Sequence, residues 1–375
     1  GARALANMVA LLGERFRFFV VTRNHDVGDR QPFPDRPSNA WVRTGHADVF
    51  YAADRDLTLR QLLHRVNEVN PRVVYLNSMF SVLAIRMLLL RRAGFLSGRA
   101  LAVAPEGELG AGALATRTVR KRLYLLLARS AGFFRGVLWK AASEPEAELI
   151  RSWFGAGEPV HVVASLSVPS PPPAPKPVAL PSGGGHRELD LIFLSRLGPK
   201  KNLHFLLAAL RSSRKRVHLG LAGPIADAAY WRRCERELAR LPANVRVTQY
   251  GALHPDEVPG VLGRFDVFAL PTLDENYGYV ILEALAAGCF LLISPHTPWA
   301  DVERAGVGRI LDVDDPARWG AAIDALADRP DEEFERSRDL TAAYARRHLS
   351  SLEAPAQLER FLADASGRSL RSPTA

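Results

Sequence analysis

The sequence predicts an α/β chain of two doubly wound, Rossmann-like domains, and three observations carry that expectation. Short apolar runs alternate with helical patterns along nearly the whole chain, the signature of parallel sheets covered on both faces. The stretch from Ser165 to Gly185 reads S-L-S-V-P-S-P-P-P-A-P-K-P-V-A-L-P-S-G-G-G, which can hold neither a helix nor an inner strand and divides the chain nearly in half. With 375 residues, 47% of them hydrophobic, the chain is long enough to bury two large cores.

Ahead of the proline-rich stretch, strands are expected at Arg17 to Val21, Val49 to Ala52, Val73 to Leu76, Leu101 to Ala104, Val137 to Ala141 and His161 to Ala164. Behind it they recur near Asp190, Val217, Val245, Val267, Phe290 and Arg309, and residues Asp331 to about Ala365 read as helical and polar on one side. The expected domains are therefore 1–164 and 189–350, joined by a linker at 165–188, with a final helix and tail at 351–375. Ligands of such folds bind at the carboxyl ends of the strands.

Composition narrows the function classes. Cys234 and Cys289 are the two cysteines, too few for a disulfide framework or a zinc site, and both sit in apolar or helical contexts that suit reduced thiols in a cytoplasm. Arg86 interrupts the apolar run from Val82 to Leu90 and Arg129 the one after Leu123, so nothing approaches the roughly 20 apolar residues of a membrane span. No signal peptide is visible, although the chain opens on Gly1. The formal charge of +9 has two readings. One is a solvated basic surface. The other notes Arg86, Arg91, Arg92 and Arg99 around a Leu-rich helix, and Arg117 to Arg122 (R-T-V-R-K-R) leading into L-Y-L-L-L, basic amphipathic segments suited to anionic lipid headgroups. The basic residues are dispersed, with no zinc finger, basic zipper or aromatic RNA-binding signature, so no specific nucleic-acid partner is expected.

The most informative segment runs from Leu270 to Ser294, L-P-T-L-D-E-N-Y-G-Y-V-I-L-E-A-L-A-A-G-C-F-L-L-I-S. Asp266 to Leu270 has the character of an inner strand, and the polar run to Asn276 cannot continue it. Asn276 is the expected N-cap of a helix from about Tyr277 to Ala287, stopped by Gly288. Glu275 then lies in the loop and Glu283 within two turns of the helix start, so they bracket N–H groups at Gly278, Tyr279 and Val280 that form an anion site. An anion there, with carboxylates to accept bonds from hydroxyls, suits a sugar attached to a phosphate. The pair also reads as a first-turn acid favoured by the helix dipole and an ordinary surface residue.

Glu275-N-Y-G-Y-V-I-L-Glu283, followed by A-L-A-A-G, resembles the E-x7-E signature of retaining glycosyltransferases of the family 4 type. Leu191 to Leu203, with Arg196 and Lys201, is similar to the segment in which that family places an Arg and a Lys on the donor diphosphate; the spacing selects Lys201 over Lys200. His218 to Gly223, Asn244 to Gly251 and Asp266 to Thr272 resemble the segments around them, in the family's order. The resemblance implies the GT-B fold, two doubly wound domains facing a central cleft, and metal-independent transfer of a hexose from a nucleotide-sugar donor, itself a co-substrate, so that no cofactor is expected. It makes Arg196, Lys201 and Glu275 the catalytic candidates, with Glu275 on the transferred sugar. Gly223, Asn276, Tyr277, Gly278, Tyr279, Val280 and Glu283 become donor-binding, Glu283 on the ribose hydroxyls. A saccharide or lipid-linked acceptor, envelope or extracellular polysaccharide synthesis, and a cytoplasmic chain peripheral on the inner face of the membrane complete the expectation.

The first half is less readable. Ala104-P-E-G-E-Leu109 follows a buried strand where the family often presents a polar side chain to the donor sugar, but relatives of this type commonly carry His or Arg where this chain has Glu106. Glu106, Glu108 and His25, which also follows a strand, are the acceptor-side candidates; a plain loop fits His25 and Asp26 equally. The family's opening strand and glycine-rich loop would precede G-A-R-A-L-A-N, so part of the site is expected to be missing from this chain. Three alternatives stand beside this reading. Asp54-Arg-Asp56 and Asp312-Val-Asp314-Asp315 suggest a metal-dependent transferase, although Pro316 makes the second set look like a turn and helix cap. A basic nucleic-acid-binding protein, the non-enzyme reading, is another, and a sugar-nucleotide epimerase or phosphorylase of similar fold the third.

Overall fold

A computed structural model describes residues 2–25, 31–110, 118–163, 188–351 and 353–369. The chain forms two compact units, Gly1–Val168 together with Leu352–Ala375, and Pro169–Ser351. The expected linker, apart from residue 188, and Asp26 and Arg117 lie outside the described residues.

In the first unit, strands β1 (Phe18–Arg23), β2 (Trp41–Thr44) and β3 (Ala47–Ala52) form a sheet of order β1-β3-β2. Strands β4 (Val73–Leu76), β5 (Ala100–Val103), β6 (Leu138–Ala141) and β7 (Val160–Val162) form a parallel sheet in sequence order. The alternating pattern predicts parallel pairing throughout; β2 departs from it. It runs antiparallel to β3 because Gly45-His46 closes a two-residue hairpin, with Thr44 opposite Ala47. The final helix, Ala354–Ser369, places Ala354, Leu358, Phe361, Leu362 and Ala365, one helical stripe, in a core with Met8, Leu12, Ala102 and Leu138.

The arginines that the sequence offered to lipid headgroups around helix Val82–Arg92 each make hydrogen bonds within the unit. Arg86 donates to the Leu57 carbonyl. Arg91 donates to the Gly136 carbonyl at 2.9 Å, Arg92 to the Ala131 carbonyl at 2.7 Å and Arg99 to the Asn70 side chain at 3.0 Å. Carbonyls at turns and helix ends lack intrahelical donors, and these guanidinium groups satisfy them.

The second unit is a six-stranded parallel sheet built from β8 (Leu189–Leu194), β9 (Val217–Ala222), β10 (Val245–Gly251), β11 (Val267–Leu270), β12 (Phe290–Ile293) and β13 (Gly308–Ile310). Its order is β10-β9-β8-β11-β12-β13, the doubly wound order in which the chain reverses its progress between the first and fourth strands. β8, β9, β11 and β12 are buried along both faces, which explains why they read as continuous apolar runs without alternation. Helix Leu203–Leu210 is correspondingly apolar nearly all round and packs against helix Pro316–Ala327 through Phe205 and Trp319. Asp315 caps that second helix, its side chain accepting from the Ala317 N–H, so this aspartate serves as the turn and cap that its neighbour Pro316 implies.

Candidate active site

The loops after β8 and β11 meet because those strands are neighbours across the switch point. After β8 the chain turns through Ser195 and Arg196, and Leu197 pairs with the loop after β9, its N–H donating to the Pro224 carbonyl at 2.9 Å. Gly223 permits this approach: its φ is 131°, and a Cβ there would stand 1.9 Å from the Ser195 carbonyl oxygen. A 3-10 turn, Pro199–Lys201, then sends Lys200 and Lys201 toward the loop after β11.

That loop is fastened to the turn by backbone and side chain alike. The Leu273 N–H donates to the Lys200 carbonyl at 2.8 Å, and the Thr272 hydroxyl, fully buried, lies 3.2 Å from the same oxygen. The Ser294 hydroxyl donates to the Thr272 carbonyl at 2.6 Å, and the Glu275 N–H to the His296 carbonyl at 2.9 Å. Two ion pairs follow in parallel: Lys200 with Asp274 at 2.8 Å, half-exposed, and Lys201 with Glu275, whose side chains are 13% and 14% exposed. Two of the three catalytic candidates are thus in direct contact. The third, Arg196, is exposed, and no carboxylate among the described residues lies within ion-pair distance of it. Burial holds the Lys201 ammonium below the usual lysine range, with Lys200 and Arg196 pushing the same way and Glu275 opposing them.

The helix start differs from the sequence expectation. Helix Tyr279–Ala286 begins two residues later than predicted, and its N-cap is Gly278, not Asn276. Gly278 takes a left-handed conformation, φ 78°, and a Cβ there would stand 2.7 Å from Ile281 Cδ1. A residue in that conformation turns the chain sharply into the helix, which an asparagine cap two positions earlier would not do. Tyr279 and Val280 therefore open the first turn, while the Ile281 N–H is already turned back on the Gly278 carbonyl at 2.8 Å. The predicted stop holds: Cys289 N–H bonds Ala284 O and Gly288 N–H bonds Leu285 O, a Schellman closure. Glu283 is half-buried one turn after Tyr279, on the same face, and helical side chains lean toward the N-terminus.

Several supporting residues were not singled out from sequence. The Trp299 indole N–H donates to the Tyr277 carbonyl at 2.6 Å, and its ring packs 4.6 Å from His348 and 5.9 Å from Tyr277. The Tyr277 hydroxyl lies 3.4 Å from His348 Nε2. Burial pushes the Tyr277 phenol up to about 12 and lowers His348, so this aromatic cluster is uncharged at neutral pH. A lone tryptophan in S-P-H-T-P-W carries no sequence sign of which carbonyl it will reach.

The acceptor-side candidates lie in the first unit. His25 follows β1 and its Nε2 lies 3.2 Å from Asp54. Glu106 follows β5 with a left-handed backbone, φ 51°, and forms a buried ion pair with Lys140 at 3.0 Å. Glu108 accepts from the Ser78 hydroxyl and the Met79 N–H, both at 2.7 Å, and burial pushes its carboxyl above the usual glutamate range. These glutamates are bound into the unit's own framework, and β1 and β5 belong to different sheets. Among the described residues, no cluster of three or more His, Cys, Asp or Glu side chains could hold a metal.

Residues 182–347 match the family Glycosyl transferases group 1. The D-inositol 3-phosphate glycosyltransferase of Corynebacterium efficiens is 27% identical over 182 residues, 44% of this chain and 42% of that protein. The match thus spans less than half the length of this curated relative. Among solved structures, sucrose-phosphate synthase from Thermosynechococcus elongatus superposes with a TM-score of 0.68 at 18% identity, covering 97% of this chain and 92% of that one. HepE from Anabaena, solved in complex with UDP-glucose, gives 0.63 at 17% identity over 86% of each chain. WaaG, a glycosyltransferase involved in lipopolysaccharide biosynthesis, gives 0.61 at 14% identity, over 98% of this chain and 95% of its own. The parallel α/β fold is that of GT-B glycosyltransferase structures, and residues 182–347 carry the chain's likeness to glycosyltransferase group 1.

Proposed function

We propose that this protein is a retaining, metal-independent glycosyltransferase of the family 4 type that moves a hexose from a nucleotide-sugar donor to a saccharide or lipid-linked acceptor. The observation that carries this reading is the contact between Lys201 and Glu275 at the switch point, with Arg196 exposed beside it. A nucleotide-sugar donor is supported by Anabaena HepE, a fold neighbour solved with UDP-glucose. Envelope or extracellular polysaccharide synthesis, from the cytoplasmic face of the membrane, is the cellular role that fits such an acceptor.

Each residue has a task in that reading. Breaking the anomeric C–O bond sends its electron pair to the departing diphosphate, and fixed cations interact more strongly with that developing charge than with the intact donor. Arg196 offers a planar fork and Lys201 a point charge. Each such contact is worth roughly 1.5–3 kcal/mol, about one to two decades in rate when made in the transition state. In the free protein Glu275 holds the buried Lys201 charge; when a diphosphate arrives, the ammonium gains a second anion and the carboxylate turns its remaining lone pairs to the sugar hydroxyls. Gly278, Tyr279 and Val280 supply backbone donors to the phosphates. Asn276 and Tyr277 shape the loop, Gly223 lets Arg196 reach it, and Glu283 accepts from the ribose hydroxyls. The acceptor oxygen attacks the same face that the leaving group vacates, and its proton passes to the departing phosphate oxygen, so the configuration is retained.

A thermal-shift panel of UDP, GDP, CDP and ADP sugars tests the donor assignment. One member should raise the melting temperature, and Lys201→Ala should abolish most of that rise. A panel with no stabilising member, or an unchanged shift in Lys201→Ala, refutes it.

A further inference from the structure

In the first unit, helix Thr118–Ser130 is anchored along one side and bare along another. Leu125 and Ala128 are buried in the core, the Tyr124 hydroxyl donates to the Met79 carbonyl at 3.2 Å, and Lys121 lies over the Phe80 ring at 5.2 Å. On the outer side, Val119 is 79% exposed, Leu123 53%, Leu126 55% and Leu127 61%. At about 100° per residue these four side chains fall within an arc of about 100°. Arg120 borders that arc on one edge, and Arg122 and Arg129 on the other. The helix carries no acidic residue. Arg129 is partly engaged, donating to the Trp153 carbonyl at 2.8 Å, whereas Arg120 and Arg122 are exposed and form no ion pair among the described residues. Beside the stripe, Leu123, Leu127, Ala131 and Phe133 line an apolar groove of about 390 Å³.

A solvated surface helix has no use for large apolar side chains at these exposures, and a contiguous apolar patch edged by charge marks an interaction surface. The charge pattern selects the occupant. Two copies meeting through this face would bring Arg120 and Arg122 against their equivalents with no acid on either helix to offset them. An apolar stripe bordered on both sides by arginine instead matches the boundary between acyl chains and anionic headgroups: leucines enter the hydrocarbon edge while the guanidinium groups take phosphate oxygens.

We infer that the Val119, Leu123, Leu126 and Leu127 face of helix Thr118–Ser130 docks the protein on an anionic lipid surface. It is a different surface from the arginines of helix Val82–Arg92, which bond carbonyls of the same unit. The inference stands on the first unit alone and is independent of the donor reading, so either can fail without the other.

Co-sedimentation with vesicles of phosphatidylcholine alone, and of phosphatidylcholine mixed with phosphatidylglycerol, tests it in the absence of any sugar nucleotide. Wild type should bind the mixed vesicles, and rising salt should weaken that binding. Leu123→Gln with Leu127→Gln, and separately Arg120→Gln with Arg122→Gln, should each reduce it about tenfold or more. All four sites are exposed, so the melting temperature should not move, and an unchanged melt confirms that the loss belongs to the surface. Equal binding to both vesicle types, or full binding by either double variant, overturns the inference. So does a wild-type dimer that ignores vesicles and dissociates in the leucine double variant, which assigns the face to a second copy.

Discussion

Lys201 concentrates the electrostatics of the proposed donor site in one side chain. Its ammonium is desolvated, paired with Glu275 and flanked by Lys200 and Arg196, and the balance places its folded-state value below the ordinary lysine value of 10.5. The sign for stability follows from linkage. Between the lowered folded value and the ordinary one, the unfolded chain binds more protons, so this group makes the fold more stable as pH rises through that window. Ligand affinity runs the other way, because a diphosphate needs the charged form. Affinity for the stabilising nucleotide should therefore weaken with rising pH before the ordinary lysine range is reached. Lys201→Arg, which keeps its charge, should move that weakening to higher pH. Calorimetric titrations across the alkaline range check both, and a pH-independent affinity in wild type would remove Lys201 from the contact.

Among the elements, helix Tyr279–Ala286 owes its start to a contact that spans 22 residues, from the Trp299 indole to the Tyr277 carbonyl. Trp299→Phe keeps the packing on His348 but removes that bond. A loss of about 1 kcal/mol or more of stability, read as a lower melting temperature, is the expected cost for this core residue, and donor affinity should weaken in the same titration. An unaltered affinity would show that the loop holds its shape without the indole. The strands of the second unit were legible because inner parallel strands must be apolar on both faces, and runs such as Leu189 to Leu194 and Phe290 to Ile293 have no other use. The helix stop was legible too, since Gly288 has a local signature. The start was not: Asn276 is a good cap by residue type, but the conformation that decides the matter belongs to Gly278 and is fixed from Trp299. β2 escaped for a similar reason, being a short antiparallel edge set by the Gly45-His46 turn and not by periodicity. Nor could any local pattern place Lys201 on Glu275, 74 positions away; their meeting follows from the strand order that makes β8 and β11 neighbours.

At the scale of the whole molecule, the chain passes between its two units twice, after Val168 and after Ser351, and returns its last helix to the core of the first. The second unit carries the family match, the doubly wound sheet and the loops that hold Arg196, Lys201 and Glu275. The first carries Glu106, an acceptor-side candidate buried in an ion pair with Lys140, and a basic helix with an exposed apolar face. The nucleotide is therefore expected on the second unit, whatever the acceptor. Hydrogen–deuterium exchange on the full chain, with and without the stabilising nucleoside diphosphate, tests this assignment directly. Protection is predicted at residues 195–202 and 273–283, the loops after β8 and β11 and the helix start between Glu275 and Glu283. Protection confined to the first unit, or exchange unchanged in those two segments at saturating ligand, would contradict it.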